Sequence, residues 1–126
     1  MQRIIVNMQN FVHSEALEIA LKNGGDFQIC TVEDPRHVAE QCRLLAANSV
    51  LLEVTGYTPW TLEQRMKLRG EILKNDPSVK IILLVDEKAE QQVAEQVKQA
   101  KRDGLIDQFI YGSTSASYLV ALLDTL

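Results

Sequence analysis

The stretch Ser49-Val50-Leu51-Leu52-Glu53-Val54 decides the fold of this chain. Its apolar residues follow one another without alternation, which is typical of a strand that is buried on both faces of a parallel sheet. Glu53 stands near the end of this run, and a loop leads from there through Pro59. Ligands of open α/β sheets gather at the carboxyl ends of the strands. The stretch therefore predicts a parallel sheet and marks its functional edge.

Strand and helix signals alternate along the rest of the chain. The other predicted strands cover residues 3–7, 27–32, 80–85 and 106–111. The predicted helices cover residues 14–23, 34–46, 61–75, 89–103 and 115–126, with Ser14 and Asp34 as caps of the first two. Five such βα units predict a doubly wound α/β fold, in which a five-stranded parallel sheet lies between two layers of helices.

Length and composition indicate one ordinary globular domain. With 126 residues, 46% of them hydrophobic and 24% charged, the chain suits a single core, and we expect residues 1–126 to form one domain. The net charge of -4 lacks the basic surplus of proteins that hold nucleic acid, so direct nucleic-acid binding is not expected. The apolar runs are too short to cross a bilayer and no signal pattern is present, which predicts a cytoplasmic protein without a membrane partner.

The order and spacing of these elements resemble a response-regulator receiver domain of two-component signalling, which is flavodoxin-like in topology. The resemblance rests on residues 51–54 with Pro59 downstream, on the run Asn75-Asp76-Pro77-Ser78-Val79-Lys80-Ile81-Ile82-Leu83-Leu84, and on Gly104-Leu105-Ile106-Asp107 before the last strand. It covers essentially the whole chain, although layout and spacing carry it more than any invariant motif. The region of the fourth helix is about one helical turn longer than in typical receivers.

The resemblance implies a phosphoryl-transfer site at the strand ends, and this chain departs from it at every position. Receivers use an aspartate nucleophile, an acidic pair at the end of the first strand that holds magnesium, a Ser or Thr that ends the fourth strand and a Lys that ends the fifth. The matching positions here are, in that order, Glu53, Asn7 with Met8, Val85, and Tyr111. We therefore predict a degenerate phosphoacceptor pocket, that is, a pseudo-receiver with no metal and no cofactor.

Each replacement weakens the chemistry for a physical reason. A thioether at Met8 and a neutral amide at Asn7 are poor magnesium ligands. The extra methylene of Glu53 moves its oxygens out of line, and phosphoryl transfer depends on positioning and charge neutralisation. Val85 cannot donate a hydrogen bond and Tyr111 carries no positive charge. Glu53 itself keeps two interpretations: a carboxylate that biases the domain to an active-like state, or an exposed carboxylate without function.

Several other residues keep more than one interpretation. The turn at residues 112–115 has a glycine and three hydroxyls that suit either anion binding or, more often, helix capping. Trp60 is either a binding anchor or a lid on the pocket, and Asp86 with Glu87 either forms a weak cation site or a solvated acidic rim. We expect His13 and His37 at the surface. Cys30 and Cys42 lack metal-ligand spacing and are expected to be reduced, small hydrophobic residues.

The last predicted helix carries apolar residues on two sides. Its predicted core stripe consists of Ala116, Leu119, Val120 and Leu123. Tyr118 and Leu122 lie on the other side, and apolar groups that face away from a core often mark a contact surface. In receivers, the surface of the fourth helix, fifth strand and fifth helix is the usual output and dimerisation face, so the resemblance implies the same location.

These observations predict a regulatory domain that acts by protein contact and is not an enzyme. It is expected to work without phosphorylation, either as a homodimer or joined to a C-terminal effector domain such as that of a transcriptional regulator. The alternative is a flavodoxin-like domain that binds a small molecule or an anion at the strand ends. An enzyme is the weakest interpretation, because no nucleophile with a base, metal set or phosphate-binding loop is visible.

Overall fold

The computed structural model describes residues 1–126 and places one five-stranded sheet between two layers of helices. The strands are β1 (Gln2–Asn7), β2 (Phe27–Thr31), β3 (Ser49–Val54), β4 (Lys80–Val85) and β5 (Gln108–Tyr111). The helices are α1 (Phe11–Gly24), α2 (Val38–Leu45), α3 (Leu62–Asn75), α4 (Gln91–Arg102) and α5 (Ala116–Asp124). None of them is of the length and apolarity that a bilayer crossing requires.

The sheet is entirely parallel, with the strand order β2-β1-β3-β4-β5. This order reverses direction at β1, where the chain crosses from one side of the sheet to the other. It is the order of flavodoxin-like folds, so the predicted fold class is confirmed. Because all strands run the same way, the loops after β1, β2, β3, β4 and β5 lie at one edge of the sheet, which we call the carboxyl edge.

The two faces of the sheet bury two separate apolar clusters. On one face, Leu52 and Leu83 of the strands contact residues of α2, α3 and α4. On the other face, Leu51 and Leu84 contact residues of α1 and α5. Full burial of each such Leu stabilises the folded state by about 1.5 to 3 kcal/mol. Both faces of β3 are therefore covered, which explains its uninterrupted apolar sequence.

The first helix begins earlier than predicted. Asn10, not Ser14, is its cap: the Asn10 side chain accepts a 3.0 Å hydrogen bond from the backbone N–H of His13. Ser14 is buried inside the helix and its hydroxyl has no partner. Asn is as good a cap as Ser, and its position lets the helix start directly after β1.

The second helix also differs at its end. Asp34, predicted as the cap of this helix, caps a separate 3-10 turn at Pro35–His37 instead, and α2 follows with His37 at its N-cap position and no side-chain cap. The apolar spacing predicts a core-facing stripe of Val38, Cys42, Leu45 and Ala46, but Ala46 is exposed and adopts the left-handed conformation with φ of 53°. This conformation ends the helix, and the neighbouring Ala47 is buried instead.

The fourth helix and fifth strand are both shorter than predicted. The side chain of Asp86 accepts hydrogen bonds from the backbone N–H groups of Lys88 and Ala89, so these residues form a turn before α4. Ile106 is buried but lies outside β5, which begins at Gln108. Just before the strand, the side chain of Asp107 accepts a 2.7 Å hydrogen bond from the backbone N–H of Ile81.

Candidate functional site

The carboxylate of Glu53 is engaged in the structure rather than free. Glu53 is only 8% exposed. Its Oε1 accepts hydrogen bonds from the backbone N–H groups of Gln9, at 2.6 Å, and Asn10, at 3.0 Å. A carboxylate that accepts two amides near the start of a helix is in a favourable electrostatic position. Of the two interpretations of Glu53, the one with an exposed carboxylate is therefore wrong, because the loop between β1 and α1 folds onto that carboxylate.

Asn7, at the end of β1, is fully buried and fully hydrogen-bonded. Its side-chain amide donates to the carbonyl oxygens of Val32, at 2.6 Å, and Glu33, at 3.3 Å, in the loop after β2. Its Oδ1 accepts a 2.7 Å bond from Nη1 of Arg65. Asn7 thus connects the loop after β2 to helix α3.

Arg65 is the central residue of this edge, and sequence reasoning missed it. It is only 1% exposed, and its Nε donates to the carbonyl oxygen of Glu53 at 2.8 Å. The Trp60 ring lies 4.7 Å from the guanidinium carbon, in the range of a cation–π contact, so Trp60 covers Arg65. Burial lowers the pKa of Arg65 to about 10, with the Glu53 charge opposing the shift, so Arg65 stays charged at neutral pH.

The buried face of α3 contains a signal that points to Arg65. Its buried residues are Arg65, Leu68 and Ile72, which are three and four residues apart. The apolar residues of the sequence predict that Leu62, Met66, Ile72 and Leu73 face the core. Of these only Ile72 is buried, and the other three are half-buried. An arginine in register with Leu68 and Ile72 is therefore the sequence feature that could have identified it.

The five residues matched to the receiver site do not line one pocket. A cavity of about 250 Å³ at the carboxyl edge is lined by Glu53 but by none of the other four. Met8 is buried against α1 and α5. Val85 is buried in the cluster on the opposite face, and Tyr111 contacts Phe109 edge-on, with ring centroids 5.7 Å apart.

Other side chains complete that small cavity. Asp86, Glu87, Lys88 and Ser113 line it, together with His13, which is half-buried rather than at the surface as expected. His37 is exposed. The cavity thus contains charges of both signs on short loops.

The strand-end residues do not fit a divalent metal. Asn7 Oδ1, the one hard oxygen of the matched acidic pair, already accepts a bond from a guanidinium. Met8 offers a buried thioether, and Glu53 Oε1 is taken by two amides. A dication here would also meet the positive charge of Arg65. No group of three or more His, Cys, Asp or Glu side chains is placed to hold a metal ion.

Two of the three hydroxyls in the turn at residues 112–115, those of Ser113 and Ser115, have partners within the protein. Ser115 caps α5, since its Oγ accepts a 3.2 Å bond from the N–H of Tyr118, which confirms the capping interpretation. The hydroxyl of Ser113 donates to a carboxylate oxygen of Glu87. The second of these bonds joins the loop after β5 to the loop after β4.

Only one of the two predicted contact residues of the last helix is exposed to solvent. Tyr118 is 59% exposed, whereas Leu122 is half-buried and packs against the core. Leu122 lies three residues after the buried Leu119, so it falls on the flank of the core face. Ala116, predicted in the core stripe, is exposed in the first turn of α5.

Tyr118 borders an open groove of about 510 Å³ beside the edge strand β5. Phe109 and Tyr111 of β5 line the same groove. Hydrogen bonding to Tyr111, and to Glu95, raises the pKa of Lys98 on α4. The groove is therefore bordered by β5 and α5, with Tyr118 as its exposed aromatic residue, and Lys98 of α4 brings a charge close to Tyr111.

Comparison with known proteins identifies the fold. No family model and no curated protein matches the sequence. The chain is similar to a solved response regulator receiver domain protein from Clostridium thermocellum, with 13% identity, a TM-score of 0.80, and 99% and 93% of the two chains covered. It is also similar to a LuxR-family DNA-binding response regulator from Staphylococcus aureus, with 18% identity, a TM-score of 0.77, and coverage of 99% and 98%.

A third similar structure is a CheY-like protein from Pseudomonas aeruginosa, with 18% identity, a TM-score of 0.73, and coverage of 99% and 98%. The structural neighbours are thus receiver (CheY-like) domains, and they extend over nearly the whole chain. At these identities the likeness establishes a common fold.

Proposed function

We propose that this chain is a receiver-like regulatory domain that acts by protein–protein contact and does not depend on phosphorylation. One observation carries the proposal: at the carboxyl edge, Glu53 binds backbone amides and Asn7 binds Arg65, so both groups are already engaged. The receiver scaffold is kept, while Asn7 and Glu53, at two of the positions that receivers use for phosphoryl chemistry, hold the loops together here.

The electrostatics of the carboxyl edge support the phosphorylation-independent part. A phosphoryl group on Glu53 would weaken the two amide bonds at Oε1, because that oxygen would lose its share of the carboxylate charge. The phosphoryl group would also stand beside the carboxylates of Asp86 and Glu87, which line the same cavity. Like charges at this range repel, and no metal site is present to neutralise them. The arrangement of the carboxyl edge is therefore held by contacts within the protein, without a phosphoryl group.

The surface of α4, β5 and α5 supports the contact part. Tyr118 is exposed beside the groove, and tyrosine is enriched at protein interfaces because it combines a large apolar ring with a hydroxyl. We propose that this surface forms a homodimer or binds a protein partner, such as the effector domain of a longer transcriptional regulator. A dimer of this kind transmits a signal through association rather than through catalysis.

Intact-mass measurement tests the first part of the proposal. The protein is incubated with magnesium and a small-molecule phosphoryl donor, and we expect no mass increase. A stable adduct of one phosphate that disappears in Glu53→Gln would contradict phosphorylation independence. A receiver domain with an intact aspartate serves as the positive control.

Sedimentation tests the second part. We expect the parent to self-associate at micromolar to millimolar concentration and Tyr118→Glu to shift it to monomer. Tyr57→Glu is the matched control, because Tyr57 is 69% exposed in the loop after β3. A parent that stays monomeric rules out the homodimer, and a dimer that Tyr118→Glu leaves unchanged uses another surface. Leu122 is left unchanged, since its partial burial would confuse loss of contact with loss of fold.

A further inference from the structure

Arg65 makes three hydrogen bonds to two strand ends. Nε donates to the carbonyl oxygen of Glu53 at 2.8 Å. Nη1 donates to Asn7 Oδ1 at 2.7 Å, and Nη2 donates to the carbonyl oxygen of Asn7 at 3.2 Å. The planar guanidinium can satisfy several oxygens at once in this way, which a lysine ammonium cannot do with the same geometry.

All three acceptors are uncharged oxygens of β1 and β3. Carbonyl oxygens that converge on one point are also how proteins hold hard metal cations. A buried cation is costly unless it is hydrogen-bonded and its charge is balanced. Here the carbonyl dipoles, the face of Trp60 and the nearby Glu53 carboxylate supply that balance.

We propose that Arg65 is a built-in cation that fixes the ends of β1 and β3, in the role that a bound metal ion would otherwise have at this edge. The domain consequently keeps one arrangement of its carboxyl edge in the presence or absence of divalent metal. This inference goes beyond the proposed function, because a contact surface on α4, β5 and α5 requires neither a resident cation nor metal independence.

A chemical rescue experiment tests the positive charge directly. Arg65→Ala leaves a site for a small cation, and we expect a loss of several degrees in melting temperature and a shift in the emission of Trp60, the chain's single tryptophan. Millimolar guanidinium chloride should restore most of both signals, whereas the same concentration of sodium chloride or urea should not. A ligand that binds only the folded variant raises its melting temperature.

Arg69→Ala is the matched control. Arg69 lies one turn further along α3, and its Nε has no hydrogen-bond partner. Guanidinium should neither stabilise this variant nor change its Trp60 emission. The inference is wrong if Arg65→Ala folds and guanidinium has no more effect on it than on Arg69→Ala.

Two measurements on the parent protein keep the inference testable if Arg65→Ala does not fold. The Arg65 Nε–H should give a resolved NMR signal that exchanges slowly with water, because it is buried and bonded. Magnesium chloride should change the melting temperature and Trp60 emission no more than sodium chloride of equal ionic strength. A rapidly exchanging Nε–H, or a specific stabilisation by magnesium, would overturn the inference.

Discussion

The side chain of Glu90 accepts a 3.2 Å hydrogen bond from the backbone N–H of Gly56, 34 residues earlier in the chain. Glu90 immediately precedes α4, and Gly56 lies in the loop after β3. The helix itself buries only two alanines and one valine, which are Ala94, Val97 and Ala100. The contact with Gly56 is therefore an important part of what holds the start of α4 in place.

We predict that the backbone amides of α4 exchange with solvent faster than those of α3. Small buried side chains give α4 little apolar contact, and local opening follows from weak contact. Glu90→Ala should speed exchange in α4 further and leave α3 unchanged, whereas Glu95→Ala, at an exposed position of α4, should have little effect. Hydrogen exchange read by mass spectrometry gives both comparisons. Equal or stronger protection of α4 than of α3 in the parent would contradict this prediction.

Removing the Glu53 carboxylate should destabilise the protein. Glu53→Ala leaves the N–H groups of Gln9 and Asn10 without their charged acceptor, and a hydrogen bond to a charged group contributes about 1.5 to 3 kcal/mol. Glu53→Gln keeps an oxygen acceptor and should lose less. Urea unfolding measures both, with the exposed Glu63→Ala as the control. A free energy of unfolding for Glu53→Ala equal to that of the control would show that the amide bonds contribute nothing.

The two cysteines should differ in reactivity. Cys42 is buried, and burial raises the pKa of its thiol to about 11. At pH 8 only about a thousandth of such a thiol is thiolate, the reactive form. We expect Cys30, which is half-buried, to be alkylated first in the native protein and both to react alike in denaturant. Peptide mass mapping follows each site, and equal native labelling would contradict the burial of Cys42.

Asp34 should titrate below the usual range. Its hydrogen bonds from the Arg36 side chain and backbone lower its pKa from 3.8 to about 2. A carboxyl whose pKa is lower in the folded state stabilises the fold above the unfolded pKa, and this contribution is lost as the pH falls toward about 2.

Arg36→Ala tests the cause of this shift. It should move the pKa of Asp34 toward its ordinary value and flatten the dependence of stability on pH in that window. Asp76 is an internal reference in the same NMR titration, because the Ser78 hydrogen bonds lower its pKa. An unchanged Asp34 pKa in the variant would mean that another group causes the shift.

The fold was predictable because its signals are local. β3 and β4 have the predicted bounds, since uninterrupted apolar runs define both their positions and their burial. The receiver-matched residues were harder to place, because successive side chains of a strand point to opposite faces and the face of Val85 depends on register. The position of Val85 at the end of β4 was predicted. Its burial on the face of the sheet that does not line the cavity was not predicted.

Arg65 was not predictable in the same way. Its register with Leu68 and Ile72 indicates burial, but only the tertiary structure brings the oxygens of Glu53 and Asn7, 12 and 58 residues away, to its nitrogens. The engagement of Glu53 by the Gln9 and Asn10 amides has the same origin. Interactions between distant segments, rather than any local pattern, determine the chemistry of this edge.

Every loop at the carboxyl edge is joined to a neighbouring element by a hydrogen bond of a polar side chain. Glu53 binds the loop after β1, and Asn7 binds the loop after β2. Glu90 and Glu87, both in the loop after β4, bind the loops after β3 and β5. The donors in these bonds are neutral amides and a hydroxyl, and all act at direct contact. Dissolved ions screen charges over distances of about 8 Å at physiological ionic strength, and they weaken such short bonds little. The edge should therefore keep its shape from dilute buffer to concentrated salt, where exposed ion pairs on the helices lose their effect.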